Sequence, residues 1–130
     1  MNLNKFKYDK LNSRQKENVN YHRIAYELSK YGYNSIRLND DYQGADFLAI
    51  HPSGEILRIQ LKGRFTLSKK YIGKELYIAY VEGDEAKIFE HDKALPLLKE
   101  STLKTESWGD RGLYSWGKTP RYFESVITIL

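Results

Sequence analysis

Residues 44–64 read Gly44-Ala45-Asp46-Phe47-Leu48-Ala49-Ile50-His51-Pro52-Ser53-Gly54-Glu55-Ile56-Leu57-Arg58-Ile59-Gln60-Leu61-Lys62-Gly63-Arg64. Two apolar runs, 47–50 and 56–61, flank the turn triplet Pro52-Ser53-Gly54, which predicts a β-hairpin closed by a left-handed glycine. Polar residues interrupt the runs at one end: Asp46 opens the first, and Gln60 and Lys62 close the second. Pairing His51 with Glu55 sets Asp46 opposite Gln60. Side chains alternate along a strand, so Ile56, Arg58, Gln60 and Lys62 share one face and Leu57, Ile59 and Leu61 the other. Directly opposed residues share a face with Cβ atoms ~5 Å apart, so Asp46, Gln60 and Lys62 converge. A register slip of one residue would move Asp46 to the opposite face.

Outward from the hairpin, residues 13–31 predict a helix. Asn12 or Ser13 can cap it, Gly32 stops it, and Tyr21, Ile24, Ala25, Leu28 and Tyr31 form its apolar stripe. Glu17 falls on that stripe, either reaching into a site or complementing the helix dipole. Residues 33–38 predict a strand and 39–44 a polar loop. Beyond the hairpin strands (45–51 and 56–63), residues 64–74 read as a basic loop and 76–81 as an apolar strand. A turn over 82–85 leads into a strand at 87–90. Residues 93–99 fit a short helix limited by Pro96, residues 101–120 a loop, and residues 122–130 either a helix or a strand. The expected architecture is α/β: a single domain over residues 1–130 with a mixed central β-sheet flanked by helices.

Composition limits the alternatives. The chain has 130 residues, enough for one domain with an ordinary core. No apolar run approaches the ~20 residues of a membrane-spanning helix, so no membrane partner is expected. The basic N-terminus lacks the apolar stretch of a secretory signal. The absence of cysteine excludes disulfides and thiolate zinc sites. A cytoplasmic location is expected. The net charge of +4 is uneven, with Lys5, Lys7, Lys10, Arg14 and Lys16 at one end and Lys62, Arg64, Lys69, Lys70 and Lys74 after the hairpin. Such clusters track a phosphate backbone or simply form a solvated surface.

The converging trio has a specific chemistry. Asp46 and the Gln60 amide oxygen are hard donors suited to Mg²⁺, with the Leu61 carbonyl as a third. Lys62 can orient a water or neutralise developing phosphate charge. This ligand set is thin unless Glu17, Asp40 or Asp41 adds a carboxylate. The rival reading makes Asp46 a strand cap and Gln60 and Lys62 ordinary edge-strand polar residues. His22, His51 and His91 share no ligand spacing, and no Gly-rich phosphate loop or nucleophile elbow is present. Trp108 and Trp116, in a Gly-rich stretch, can stack on bases or pack in the core.

On Gly44-Ala45-Asp46 and Gln60-Leu61-Lys62, preceded by a helix and a strand, the chain resembles the PD-(D/E)XK nuclease superfamily in its Gln-x-Lys variant. The resemblance spans roughly residues 13–81. It is nearest to small stand-alone members such as Holliday-junction resolvases and restriction-type nucleases. It implies a restriction-endonuclease-like fold and a Mg²⁺- or Mn²⁺-dependent endonuclease acting on DNA. Asp46 and Gln60 would hold the metal, Glu17 would be a further ligand, and Lys62 would assist the attacking water. Arg64, Lys69, Lys70 and Lys74 would contact the phosphate backbone, and a homodimer would cut both strands. Many members carry a helix glutamate near the position of Asn20 or Tyr21, where this chain has none. Many also follow the Gln-x-Lys strand with a long helix. The alternatives are a catalytically degenerate nucleic-acid-binding module and a protein-interaction module for an acidic partner.

Overall fold

A computed structural model describes residues 1–130. Its elements in chain order are α1 (Ser13–Ser29), β1 (Asn34–Tyr42), β2 (Ala45–Ile50), β3 (Ile56–Leu61), β4 (Thr66–Ser68), β5 (Leu76–Glu82), β6 (Glu85–Glu90), α2 (His91–Ala94), α3 (Glu100–Leu103), α4 (Glu106–Gly109), β7 (Leu113–Ser115) and β8 (Ile127–Ile129).

The hairpin has the expected register. Phe47 pairs with Ile59, Leu48 with Arg58, Ala49 with Leu57 and Ile50 with Ile56. The His51 N–H donates to the Glu55 carbonyl at 2.9 Å, and Gly54 sits at φ +95°. Leu57, Ile59 and Leu61 are buried, as the alternation predicts. β1 runs antiparallel to β2 at the sheet edge and extends to Tyr42, so most of the expected loop 39–44 is strand. An edge strand needs hydrogen bonds on one side only. Asn39, Asp40 and Asp41 therefore stay exposed while forming part of β1, and their polarity conceals the strand.

The sheet order is β1-β2-β3-β5-β6-β8, and the one parallel pair is β3 with β5. The fold is a single α/β domain with a mixed central sheet. The crossover between β3 and β5 contains no α-helix. In place of the expected basic loop, Phe65, Thr66, Leu67 and Ser68 are all buried, and β4 pairs with β7 in a second, two-stranded sheet. Residues 101–120 likewise hold α3, α4 and β7 rather than a plain loop. These pieces are too short for periodicity to reveal. Their polar residues also satisfy one another inside, as Thr66 Oγ1 and Ser115 Oγ do at 2.8 Å. The last segment is both alternatives in turn, a 3-10 helix over Arg121–Val126 and then β8.

Each face of the sheet has its own core. On one face α1 packs Tyr21, Ile24 and Leu28 over Phe47, Ala49, Ile59, Leu61 and Ala79. A reciprocal capping box between Asn12 and Gln15 starts that helix. Tyr31, assigned to the apolar stripe, is instead exposed beyond the helix end. On the other face Phe65, Leu67, Leu76, Ile78, Tyr80, Phe89 and Phe123 form an aromatic-rich core. Trp108 is buried there, and Trp116 packs against it with its ring 5.2 Å from Phe65 and 5.3 Å from Phe123. Core packing, not base stacking, thus accounts for both tryptophans. No helix is long and apolar enough to cross a membrane.

Candidate functional site

The first turns of α1 stand over the end of the hairpin. Between them lies a groove of about 400 Å³ that includes Glu17, Asn20, Asp46, Gln60 and Lys62 in its lining. The hairpin register brings together the three residues singled out in the sequence. Asp46 Oδ2 accepts a hydrogen bond from the Leu61 N–H at 2.9 Å, and Gln60 Nε2 donates to the Leu61 carbonyl at 3.3 Å. Asp46 Oδ1 and Gln60 Oε1 remain unbonded within the chain. The Lys62 N–H donates to the Ala79 carbonyl at 2.9 Å, which continues the β3–β5 pairing. The Lys62 ammonium lies 5.4 Å from the centre of the Tyr71 ring.

Burial pushes the Asp46 carboxyl up; the Leu61 N–H opposes this, the Asp41 and Glu17 charges add to it, and Lys62 counteracts them. Glu17 borders the groove, but its Oε1 accepts from Arg37 Nη2 at 3.1 Å. Arg37 is itself held by Asn18 and by the face of Tyr21. Asp41 borders an adjoining depression with Glu17 and Asp46, whereas Asp40 is exposed on β1. No three carboxylate or imidazole side chains gather into a metal-binding group. Asp46 and the Gln60 amide oxygen are the donors at the hairpin end of the groove, beside the ion-paired Glu17, in surroundings that disfavour the ionised Asp46. Such a set suits a hard divalent cation that keeps several waters, as Mg²⁺ does.

Sequence reasoning missed Tyr71. Its ring is buried against Gly44, with the Lys62 and Lys70 ammonium groups 5.4 and 5.2 Å from its centre. Burial raises the Tyr71 hydroxyl pKa, Lys70 opposes this, and Asp46 adds to it. Gly44 has φ +89°, and a Cβ there would lie 2.6 Å from Leu76 Cδ1. The backbone can therefore turn into Asp46 only through a glycine. Tyr71 lay inside a segment read as polar loop, so nothing in the pattern marked it as buried.

His91 was also missed. It is fully buried; its Nε2 accepts from the Ser68 N–H at 3.1 Å, and its Nδ1 lies 2.8 Å from Asp92 Oδ1. Asp92 Oδ2 in turn accepts from the Gly73 N–H at 2.8 Å. These bonds tie both ends of the short Lys69–Tyr71 turn to α2. Because Nε2 must accept, the folded ring is neutral. Burial holds its pKa below the ordinary value, against the opposing pull of Asp92. The unfolded chain then takes up the proton first, near pH ~6.5, so this stabilisation is complete above that value and erodes as pH falls below it. The thermal midpoint should therefore drop between about pH 7 and pH 5, and drop less in His91→Gln, followed by circular dichroism. Equal pH slopes in the two proteins would assign the effect to another group.

The basic residues after the hairpin are exposed: Arg64, Lys69, Lys70 and Lys74. None of them is ion-paired, and neither is Lys62 or any of Lys5, Lys7, Lys10, Arg14 and Lys16. Lys69 lies over Trp108 and Lys70 over Tyr71, at 5.5 and 5.2 Å from the ring centres. No protein family, no curated protein and no solved structure matches this chain.

Proposed function

We propose that this chain is a Mg²⁺- or Mn²⁺-dependent endonuclease of the PD-(D/E)XK type that hydrolyses phosphodiester bonds of DNA. The observation that carries this reading is the groove in which Asp46, Gln60 and Lys62 meet, with Asp46 Oδ1 and Gln60 Oε1 left unbonded. Asp46 and Gln60 would hold the cation, with Glu17, which borders the same groove, as a further carboxylate. A bound divalent cation would acidify a water and neutralise charge on the scissile phosphate. The Lys62 ammonium, free of any carboxylate partner, donates to the attacking water or to a non-bridging phosphate oxygen. The unpaired Arg64, Lys69, Lys70 and Lys74, on the segment that follows Lys62, would contact the phosphate backbone.

The test is plasmid nicking with Mg²⁺ or Mn²⁺, against a chelator control. Wild type should nick, and Lys62→Ala should lose about a hundredfold in rate, the loss typical when one preorganised electrostatic donor is removed. Inertness of the wild type on double-stranded, single-stranded and branched DNA would sink the enzyme reading.

A second reading, a nucleic-acid-binding module without catalysis, is favoured by the Arg37–Glu17 ion pair, which leaves Asp46 the one unpaired carboxylate beside Gln60. Under that reading binding survives Lys62→Ala, falls steeply with salt, and is never followed by nicking.

A further inference from the structure

The groove does not end at Lys62. Beyond Asn20 and Gly63 it adjoins a second depression of about 410 Å³, walled by Val19, Arg23 and Val81. Tyr8 borders both hollows. Tyr8 is 44% exposed yet held in place, because Asn20 Nδ2 donates to its hydroxyl at 3.1 Å and the Lys16 ammonium lies 5.5 Å from the ring centre. The far wall is equally fixed: Arg23 pairs with Glu27 at 3.3 Å and donates to the Asp84 carbonyl. An exposed aromatic locked between a polar groove and a half-apolar hollow has the form of a base-stacking platform.

Gly63 supplies a second observation. A Cβ built there meets no atom within 4 Å, and its φ lies outside the left-handed region. The backbone does not require glycine at this position. A side chain would project into open space where the two hollows meet. Lys16 and Lys62, neither of them ion-paired, line the groove on the side of the catalytic trio.

Resting on the nuclease reading above, we propose that the second hollow takes the base of one unpaired nucleotide next to the phosphate held beside Lys62. The preferred substrate class is then single-stranded or locally unpaired nucleic acid rather than continuous duplex. Lys16 covers one face of the Tyr8 ring, so the ring offers the other to a single base. A base inside a duplex reaches such a platform only by unpairing and unstacking, a cost that single strands do not carry. Tyr8 and Gly63 therefore select the substrate without touching the reacting atoms.

The test is fluorescence anisotropy in a chelator buffer, which prevents cleavage. A short labelled single strand and the blunt duplex of the same sequence are titrated with wild type, Tyr8→Ala and Gly63→Val. Tyr8→Ala should lose about tenfold in single-strand affinity, the loss of one base–aromatic stack, with duplex affinity unchanged. Gly63→Val should lose single-strand affinity comparably at an unchanged thermal midpoint. Should Gly63→Val fail to fold, Gly63→Ala carries the same comparison. Wild-type affinity for single strands in both variants overturns the proposal, as does an equal loss on single strand and duplex. The nuclease reading fails separately, by absence of Lys62-dependent nicking, so the two failures are distinguishable.

Discussion

Under the proposed endonuclease reading, Asp46→Asn should abolish metal-dependent nicking, and whatever the function it should raise the thermal midpoint. The loss of activity follows from the ligand set. Asn offers one neutral oxygen where the unpaired carboxylate stood, and that carboxylate is the main anionic donor in the groove. A fall of about a thousandfold or more is expected, because cation binding and transition-state charge neutralisation are lost together. The gain in stability follows from the raised Asp46 pKa. The folded state holds the Asp46 proton more tightly than the unfolded state does. Stability is therefore lost as pH rises through the folded pKa. Asn removes that burden and keeps an acceptor for the Leu61 N–H. The difference in midpoint should vanish as pH falls below the ordinary carboxylate range. Calorimetry at neutral and acid pH, beside a nicking assay, checks both halves. A destabilised Asn variant would show that the carboxylate is structural, and retained nicking would remove Asp46 from the site.

Phe65→Ala should cost more stability than any other single change considered. Phe65 is fully buried at the centre of the second core, 4.6 Å from Phe89, 4.5 Å from Phe123, 5.2 Å from Trp116 and 6.0 Å from Tyr80 between ring centres. Truncation leaves a cavity among rings that cannot all shift inward, and such changes cost about 3–5 kcal/mol. That is a large share of the ~5–15 kcal/mol that separates folded from unfolded chains. Urea unfolding should show the midpoint falling steeply, and near-ultraviolet dichroism should weaken as the aromatic packing loosens. Phe65→Leu should lose considerably less, since it refills most of the volume. A loss below about 1 kcal/mol for Phe65→Ala would mean that the rings repack around the gap. Phe65 also precedes β4, so loosening it frees the segment that carries Lys69, Lys70 and Tyr71.

The hairpin was legible in the sequence because its signals were local. Pro52-Ser53-Gly54 set the turn, alternation set the faces, and the register followed by counting; Phe47 duly pairs with Ile59. The same counting placed Asp46 beside Gln60. The first helix was legible for the same reason, from its cap, its stripe and its stop. The buried strand Thr66–Ser68 was not. It is three residues long, flanked by lysines and arginine, and polar at two of three positions. It is a strand because Leu113–Ser115, far along the chain, lies beside it. The choice between stacking and packing for the two tryptophans stayed open for a related reason: Gly-rich surroundings mark an open loop only when nothing distant packs on them.

Local chemistry therefore fixed which side chains the hairpin presents together, because turn type and strand periodicity act over a few residues. Only the tertiary structure decided what faces them. The packing of α1 over the sheet put Glu17 against Arg37, and the segment before α1 folds back to put Tyr8 against Asn20, contacts between residues 20 and 12 positions apart. The His91–Asp92 pair fixed the turn that brings Tyr71 under Lys62. The trio at the end of the hairpin is written in the order of the residues. The charge around Asp46, the space beside Gly63 and the exposure of Tyr8 arise from packing between segments that no local pattern connects.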